Sequence, residues 1–207
     1  MQKPNAFRAL EALGRVRLSE SFFMRDMLYS EISNYYGIPN IPENPELAIQ
    51  AGKNLCQLVL EPLQERLGRI SIRSAYRSPE VNQFGNQNAL GCSSNKRNAS
   101  RHIWDQKDKN GCVGAMATVV VQGYIPYYEQ TGDWKALAWY IHDNVPYSYM
   151  CFYPKLGAFN IGWHERPQRR IDSHVTPRGC LTKPGMENHS GTHSEAYLAM
   201  LKMHKNY

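Results

Sequence analysis

The chain has 207 residues, of which 42% are hydrophobic and 20% charged, a length and balance that fit one domain around a single sizeable core and exclude global disorder. No apolar run approaches the roughly 20 residues that cross a bilayer, so no membrane partner is expected. The formal net charge of +6 favours anionic surroundings such as wall polymers or acidic proteins, while its scatter, without a nucleic-acid fingerprint, argues against nucleic acid.

In chain order, residues 1–18 are basic and carry no apolar core of secretory type, so no signal peptide is expected. Residues 19–36 place Phe23, Met27, Leu28, Ile32 and Tyr35 at steps of three and four, which predicts one helix closed by the loop 37–44. Asn44 caps a second helix, with Pro45 at its first position and Glu46 in its first turn. Leu47, Ala51, Leu55, Leu58 and Leu67 mark the buried stripe of that helix, Gly68 marks its end, and Pro62 predicts a kink or restart. Arg69–Tyr76 alternates and reads as a strand, and 85–112 reads as a long polar loop of the kind that carries function. Ala117–Gln122 is a β-branched strand, and Asp133 caps a short helix through about Asp143. Two strands follow near Tyr147–Tyr153 and Ala158–Trp163, joined by a Pro-Lys-Leu-Gly turn. From Glu165 the chain is rich in Arg, Pro and Gly until a last helix. That helix opens with a capping-box pattern, Thr192–Glu195, and runs to about His204 with Ala196, Met200 and Met203 on one stripe. The expected fold is α+β: a small antiparallel sheet flanked by N-terminal helices, with a C-terminal arm and helix. Its divisions are 1–18, a domain at 19–164, and an extension at 165–207.

The five cysteines, an odd number without a CxxC pair, read as unpaired thiols of a reducing compartment. Cys92 and Cys112 flank one long loop and are the pair placed to form a bridge. His189 and His193 have the i, i+4 spacing of a helical metal pair, but the Gly between them and the missing Glu favour a polar connector. His142 reads as a capping or core residue, and core packing is expected for at least three of the four tryptophans.

The segments 59–68 (VLEPLQERLG) and 74–82 (SAYRSPEVN) carry a resemblance. They are similar to the zinc D-Ala-D-Ala carboxypeptidases of peptidase family M15, a group that includes phage endolysins and the hedgehog-like fold. The specific match covers about a third of the chain, and a weaker one extends it to His164. The resemblance implies a zinc held by a His, an Asp and a second His, with a Glu or Asp as general base and an Arg on the substrate carboxylate. Three protein ligands leave a fourth position for a water acidified enough to attack an amide.

By that resemblance Ser100-Arg101-His102 supplies the first ligand, His102, with Ser100 beside the substrate, and Arg77 is the anion clamp. The ligand Asp falls on Thr118, the second ligand His on Asn160, and the base position on Gly157. Thr and Asn are poor zinc ligands, so the site reads as degenerate and no cofactor is expected. The resemblance then implies a non-catalytic domain used for binding or assembly, in a phage virion among other settings. Its expected partners are proteins met through the C-terminal arm, or peptidoglycan. It would be made in the host cytoplasm and carried in the virion thereafter. A second reading keeps an active zinc peptidase acting on peptidoglycan stem peptides, with a rearranged ligand set of His102, Asp108 and His164 and with Glu165 as base. Asp105 is a further carboxylate in the same stretch.

Overall fold

The structure is a computed structural model that describes residues 3, 5 and 7–204. The fold is α+β, built on one six-stranded sheet of order β1-β2-β4-β3-β5-β6. The strands are β1 (Ile70–Ser74), β2 (Gly114–Val121), β3 (Tyr149–Phe152), β4 (Phe159–His164), β5 (Arg170–Ser173) and β6 (Gly179–Thr182). Every neighbouring pair is antiparallel except β3 and β5, so the sheet is mixed rather than the expected antiparallel one. The difference arises after Glu165, where two four-residue strands form in a segment too short and too rich in Pro and Gly to show alternation.

Alternation along the central strands decides which face is which. Ala115, Ala117, Val119 and Val121 of β2, Phe159 and Ile161 of β4, and Met150 and Phe152 of β3 belong to the core. The residues between them, including Thr118, Asn160, Tyr149 and Cys151, lie on the opposite face, so one side of the sheet is apolar and the other polar. Helix α4 (Pro45–Leu55) covers the apolar side, with Ala48, Ala51 and Leu55 fully buried. Asn44 caps it by accepting from the Leu47 amide at 3.2 Å.

Pro62 stands in the first turn of a restarted α-helix, as the sequence predicts. A π-helical stretch, Cys56–Leu60, joins α4 to α5 (Glu61–Leu67), and the Glu61 amide reaches back to the Cys56 carbonyl. A widened turn removes the need for a donor at the proline, which has none to give. The expected single helix over 19–36 is two: α2 (Met24–Leu28) and α3 (Glu31–Tyr36). Tyr29 is extended, and the Ser30 hydroxyl accepts from the Ser33 amide, an N-cap that outcompetes helical periodicity. An additional helix, α1 (Phe7–Gly14), precedes them.

The stretch 85–112 is not one loop. Helix α6 (Pro79–Gln87) enters it and a short turn of helix, α7 (Asn95–Asn98), forms within it. Beyond the sheet centre lie α8 (Ile125–Thr131) and α9 (Trp134–Asn144), the latter capped by Asp133 as the sequence predicts. Helix α10 (Ser194–His204) packs on α9. Of the expected stripe Met200 is buried and Met203 packs against the core, while Ala196 is exposed and Tyr197, edge-on to Tyr140 of α9, is buried in its place.

Candidate anion-binding site

A cavity of about 390 Å³ opens on the polar face of the sheet. Thr118 and Asn160 stand directly opposite each other in the β2–β4 register, and the Thr118 hydroxyl donates to Asn160 Oδ1 at 2.6 Å. Asn160 Nδ2 donates to the Tyr153 hydroxyl at 3.0 Å. Cys151 is the β3 partner of Asn160 and lines the same cavity. Burial pushes the Cys151 thiol up and the Tyr153 phenol up to about 12, so both are neutral near pH 7.

His102 and Arg77 reach this cavity from two crossing segments. The Arg77 amide donates to the His102 carbonyl at 2.8 Å, and His102 Nδ1 donates to the Ala75 carbonyl at 2.8 Å. That bond leaves Nε2 as the acceptor, with Asn160 within hydrogen-bonding reach of the ring. Burial, followed by the positive charges of Arg77 and Arg101, lowers the His102 pKa to about 3, so the imidazole is neutral. Arg77 is half-buried and makes only neutral contacts: Nη2 to Ser74 Oγ at 3.1 Å and Nη1 to Cys92 Sγ at 3.3 Å.

Two more guanidinium groups, Arg97 and Arg101, complete the lining. Among the described residues no carboxylate lies within ion-pairing distance of Arg77, Arg97 or Arg101. The segment carrying Arg97 and Arg101 is held rigidly from below. Asn98 donates to Asn82 Oδ1 at 2.7 Å, and Asn82 donates to Asn95 Oδ1 at 2.7 Å and to the Ser93 carbonyl at 2.9 Å. Ser100 sits at φ +56°, a left-handed conformation that is costly for a serine and is over-determined here. Its amide reaches the Gln106 carbonyl and its hydroxyl donates to the Cys112 carbonyl at 2.6 Å. Ser100 therefore shapes the turn and has its hydroxyl spent on backbone. The strained turn aims Arg101 across the Tyr149 ring, 4.8 Å from its centroid.

The other sequence-predicted residues lie elsewhere. His164 and Asp108 line a neighbouring cavity of about 280 Å³ and pair at 3.4 Å. Asp108 also accepts from the Asn110 and Cys112 amides, and its pKa is lowered by the Cys112 bond first. Glu165 accepts from the Val113 amide at 2.7 Å, a strand-end contact that engages one of its carboxylate oxygens. Asp105 is buried against the amides of Glu43 and Asn44, away from the cavity. Gly157 closes the β3–β4 turn at φ +60°, so a carboxylate-bearing residue there would be strained, although Tyr124 and Tyr128 leave room for a Cβ at 3.4 Å. Among the described residues no three His, Cys, Asp or Glu side chains come together to hold a metal. The donors His102, Thr118 and Asn160, one imidazole with a hydroxyl and an amide, do not fit zinc.

All five cysteines are free, so the loop carries no bridge: Cys92 lies against Arg77, and Cys112 is buried beside the Ser100 turn. The C-terminal histidines form a clasp. His193 Nδ1 is 2.7 Å from Asp143 Oδ1, its Nε2 is 3.0 Å from the Asn188 carbonyl, and its ring stacks on Trp139 at 3.9 Å. His142 is buried between the Tyr147 hydroxyl and the His189 carbonyl. Trp104, Trp134 and Trp139 are buried, Trp104 donating to the Met116 carbonyl at 3.1 Å.

Sequence reasoning missed Arg97, Arg101, Tyr149, Tyr153, Cys151 and His174 as parts of the site. The i, i+2 spacing of Tyr149, Cys151 and Tyr153 was a usable signal for the strand face, whereas no local pattern marks Arg97 and Arg101. Comparison with known proteins finds no matching family model, no matching curated protein and no matching solved structure. What fold and site define together is an α+β domain with a basic cavity on the polar face of its sheet, lined by no carboxylate among the described residues.

Proposed function

We propose that this chain is a carboxypeptidase-like domain that has given up catalysis and binds the anionic end of a peptide. The observation that carries the reading is the cavity lined by Arg77, Arg97 and Arg101 with no carboxylate in its wall. Guanidinium groups unpaired by protein are available to a ligand carboxylate, and a low-dielectric pocket strengthens such charge-assisted bonds. The neutral His102, Asn160 and Thr118 supply hydrogen bonds and fix orientation. Thr118 and Asn160 satisfy each other, as expected for positions that no longer serve a metal. The carboxylate belongs to a peptidoglycan stem peptide or to the C-terminus of a partner protein in an assembly, and sedimentation with purified sacculi separates the two sources.

The test is calorimetric titration with acetyl-Gly-Gly-Gly, alongside elemental analysis of protein purified without chelator or affinity tag. Binding that weakens about tenfold or more in Arg101→Ala, with zinc well below stoichiometry, is the expected result. A second reading, an active zinc peptidase with a rearranged site, draws on the His164–Asp108 pair beside the cavity. Near-stoichiometric zinc that His102→Ala removes would establish that reading and overturn the first.

A further inference from the structure

The cavity that holds His102 does not end at Arg97 and Arg101. Both residues also line the neighbouring cavity, whose wall adds Lys96, Lys109 and Gln168. The two hollows are therefore neighbouring chambers of one trough that share two guanidinium groups. In the second chamber the one acid, Asp108, is already engaged by His164 and by two backbone amides. Lys96, Arg97 and Lys109 are exposed, and among the described residues none has an acidic partner. Like charges lining one hollow repel one another, and an anion spanning them relieves that repulsion.

From this charge arrangement we propose that the trough contains a second anion subsite, formed by Lys96, Lys109 and the outer faces of Arg97 and Arg101, and that the ligand is a peptide bearing two carboxylates. One is its C-terminal carboxylate in the His102 chamber, and the other is an acidic side chain a residue or two upstream. This rests on the reading of the His102 chamber as a carboxylate site.

An acidic peptide is favoured over a nucleic acid by the aromatic groups of the trough. Single-stranded nucleic acids gain much of their affinity by stacking bases on free aromatic faces. Here the Tyr149 ring is covered by Arg101, and the Tyr153 ring is stacked with His174 at 5.5 Å. Each of these rings thus has one face taken, and what the trough offers foremost is cations and hydrogen-bond donors.

Calorimetry on the full chain tests this with three probes: acetyl-Gly-Gly-Gly, acetyl-Glu-Gly-Gly and a 12-mer oligothymidylate. The diacid is expected to bind about tenfold more tightly than the monoacid at low salt. The double variant Lys96→Gln/Lys109→Gln removes that advantage while leaving the monoacid unchanged. Equal affinity of the two peptides for the wild type, or an advantage that survives the double variant, overturns the second subsite alone. Failure of both peptides to bind overturns the carboxylate reading of the His102 chamber as well. Oligothymidylate binding that competes with the diacid and depends on Lys109 overturns the assignment to a peptide.

Discussion

His102 shows how one buried side chain ties stability to function. Folding takes its imidazole out of water, donates its Nδ1 proton to the Ala75 carbonyl and places Arg77 and Arg101 nearby. The folded pKa, about 3, lies below the ordinary 6.5, so the unfolded chain binds a proton that the native chain refuses. The stabilisation is complete above about pH 6.5 and is lost as the pH falls from there toward 3. Burial acts in the same direction on His142. Melting temperatures measured from pH 7 to pH 4 should therefore fall, and His102→Gln should flatten that dependence; equal slopes in both proteins would refute the account.

At the scale of elements, the C-terminal helix is fastened by a small number of polar contacts. Asp143 of α9 accepts from the His193 amide, from its ring and from the Tyr197 hydroxyl. Burial alone would raise the Asp143 pKa, but the bonds to His193 outweigh it and the net shift is downward. Replacing Asp143 by Ala leaves the amide and the ring nitrogen of His193 without their acceptor. It should cost about 2–3 kcal/mol. Because α10 packs at the edge of the fold, the loss should appear as local release: limited proteolysis near residues 183–195 accelerates while the far-ultraviolet spectrum changes little. Global unfolding in place of local cleavage would show that α10 belongs to the cooperative core.

For the whole molecule, the sheet decides what the sequence resemblance can mean. β2 and β4 bring Thr118 and Asn160 face to face beside His102, with Asn160 in reach of the imidazole. An Asp and a His at those two positions would complete a three-ligand shell on an existing scaffold. The double variant Thr118→Asp/Asn160→His is therefore expected to bind zinc near stoichiometrically after dialysis, where the parent does not. A variant that folds and stays metal-free would mean that these positions do not share a metal-sized space, and the argument for a lost zinc site would fall with it.

Much of the helical scaffold and the central strands was legible along the chain, because caps and periodicity are local: Asn44 and Asp133 begin helices through their own side chains. The candidate residues Arg77, His102, Thr118 and Asn160 were named from the family resemblance, and strand alternation adds only that Thr118 and Asn160 lie on the polar face. Local pattern failed where a competing local bond or a distant partner prevailed. Ser30 broke a periodic helix in two, and β5 and β6 exist only because β3 offers an edge to pair with. The charge character of the site was also out of sequence reach. Arg97 and Arg101 sit in a segment whose polar composition suggests only a solvated loop. Buried amides and the strained Ser100 turn aim both residues at a strand some 50 residues onward. The sequence by itself determined fold class, caps and strand faces, which depend on neighbours a few residues apart. Only the tertiary structure decided that three guanidinium groups without an acidic partner among the described residues share one cavity, and that Asp108 and Glu165 accept bonds outside it, because the fields and hydrogen bonds involved act between groups far apart along the chain.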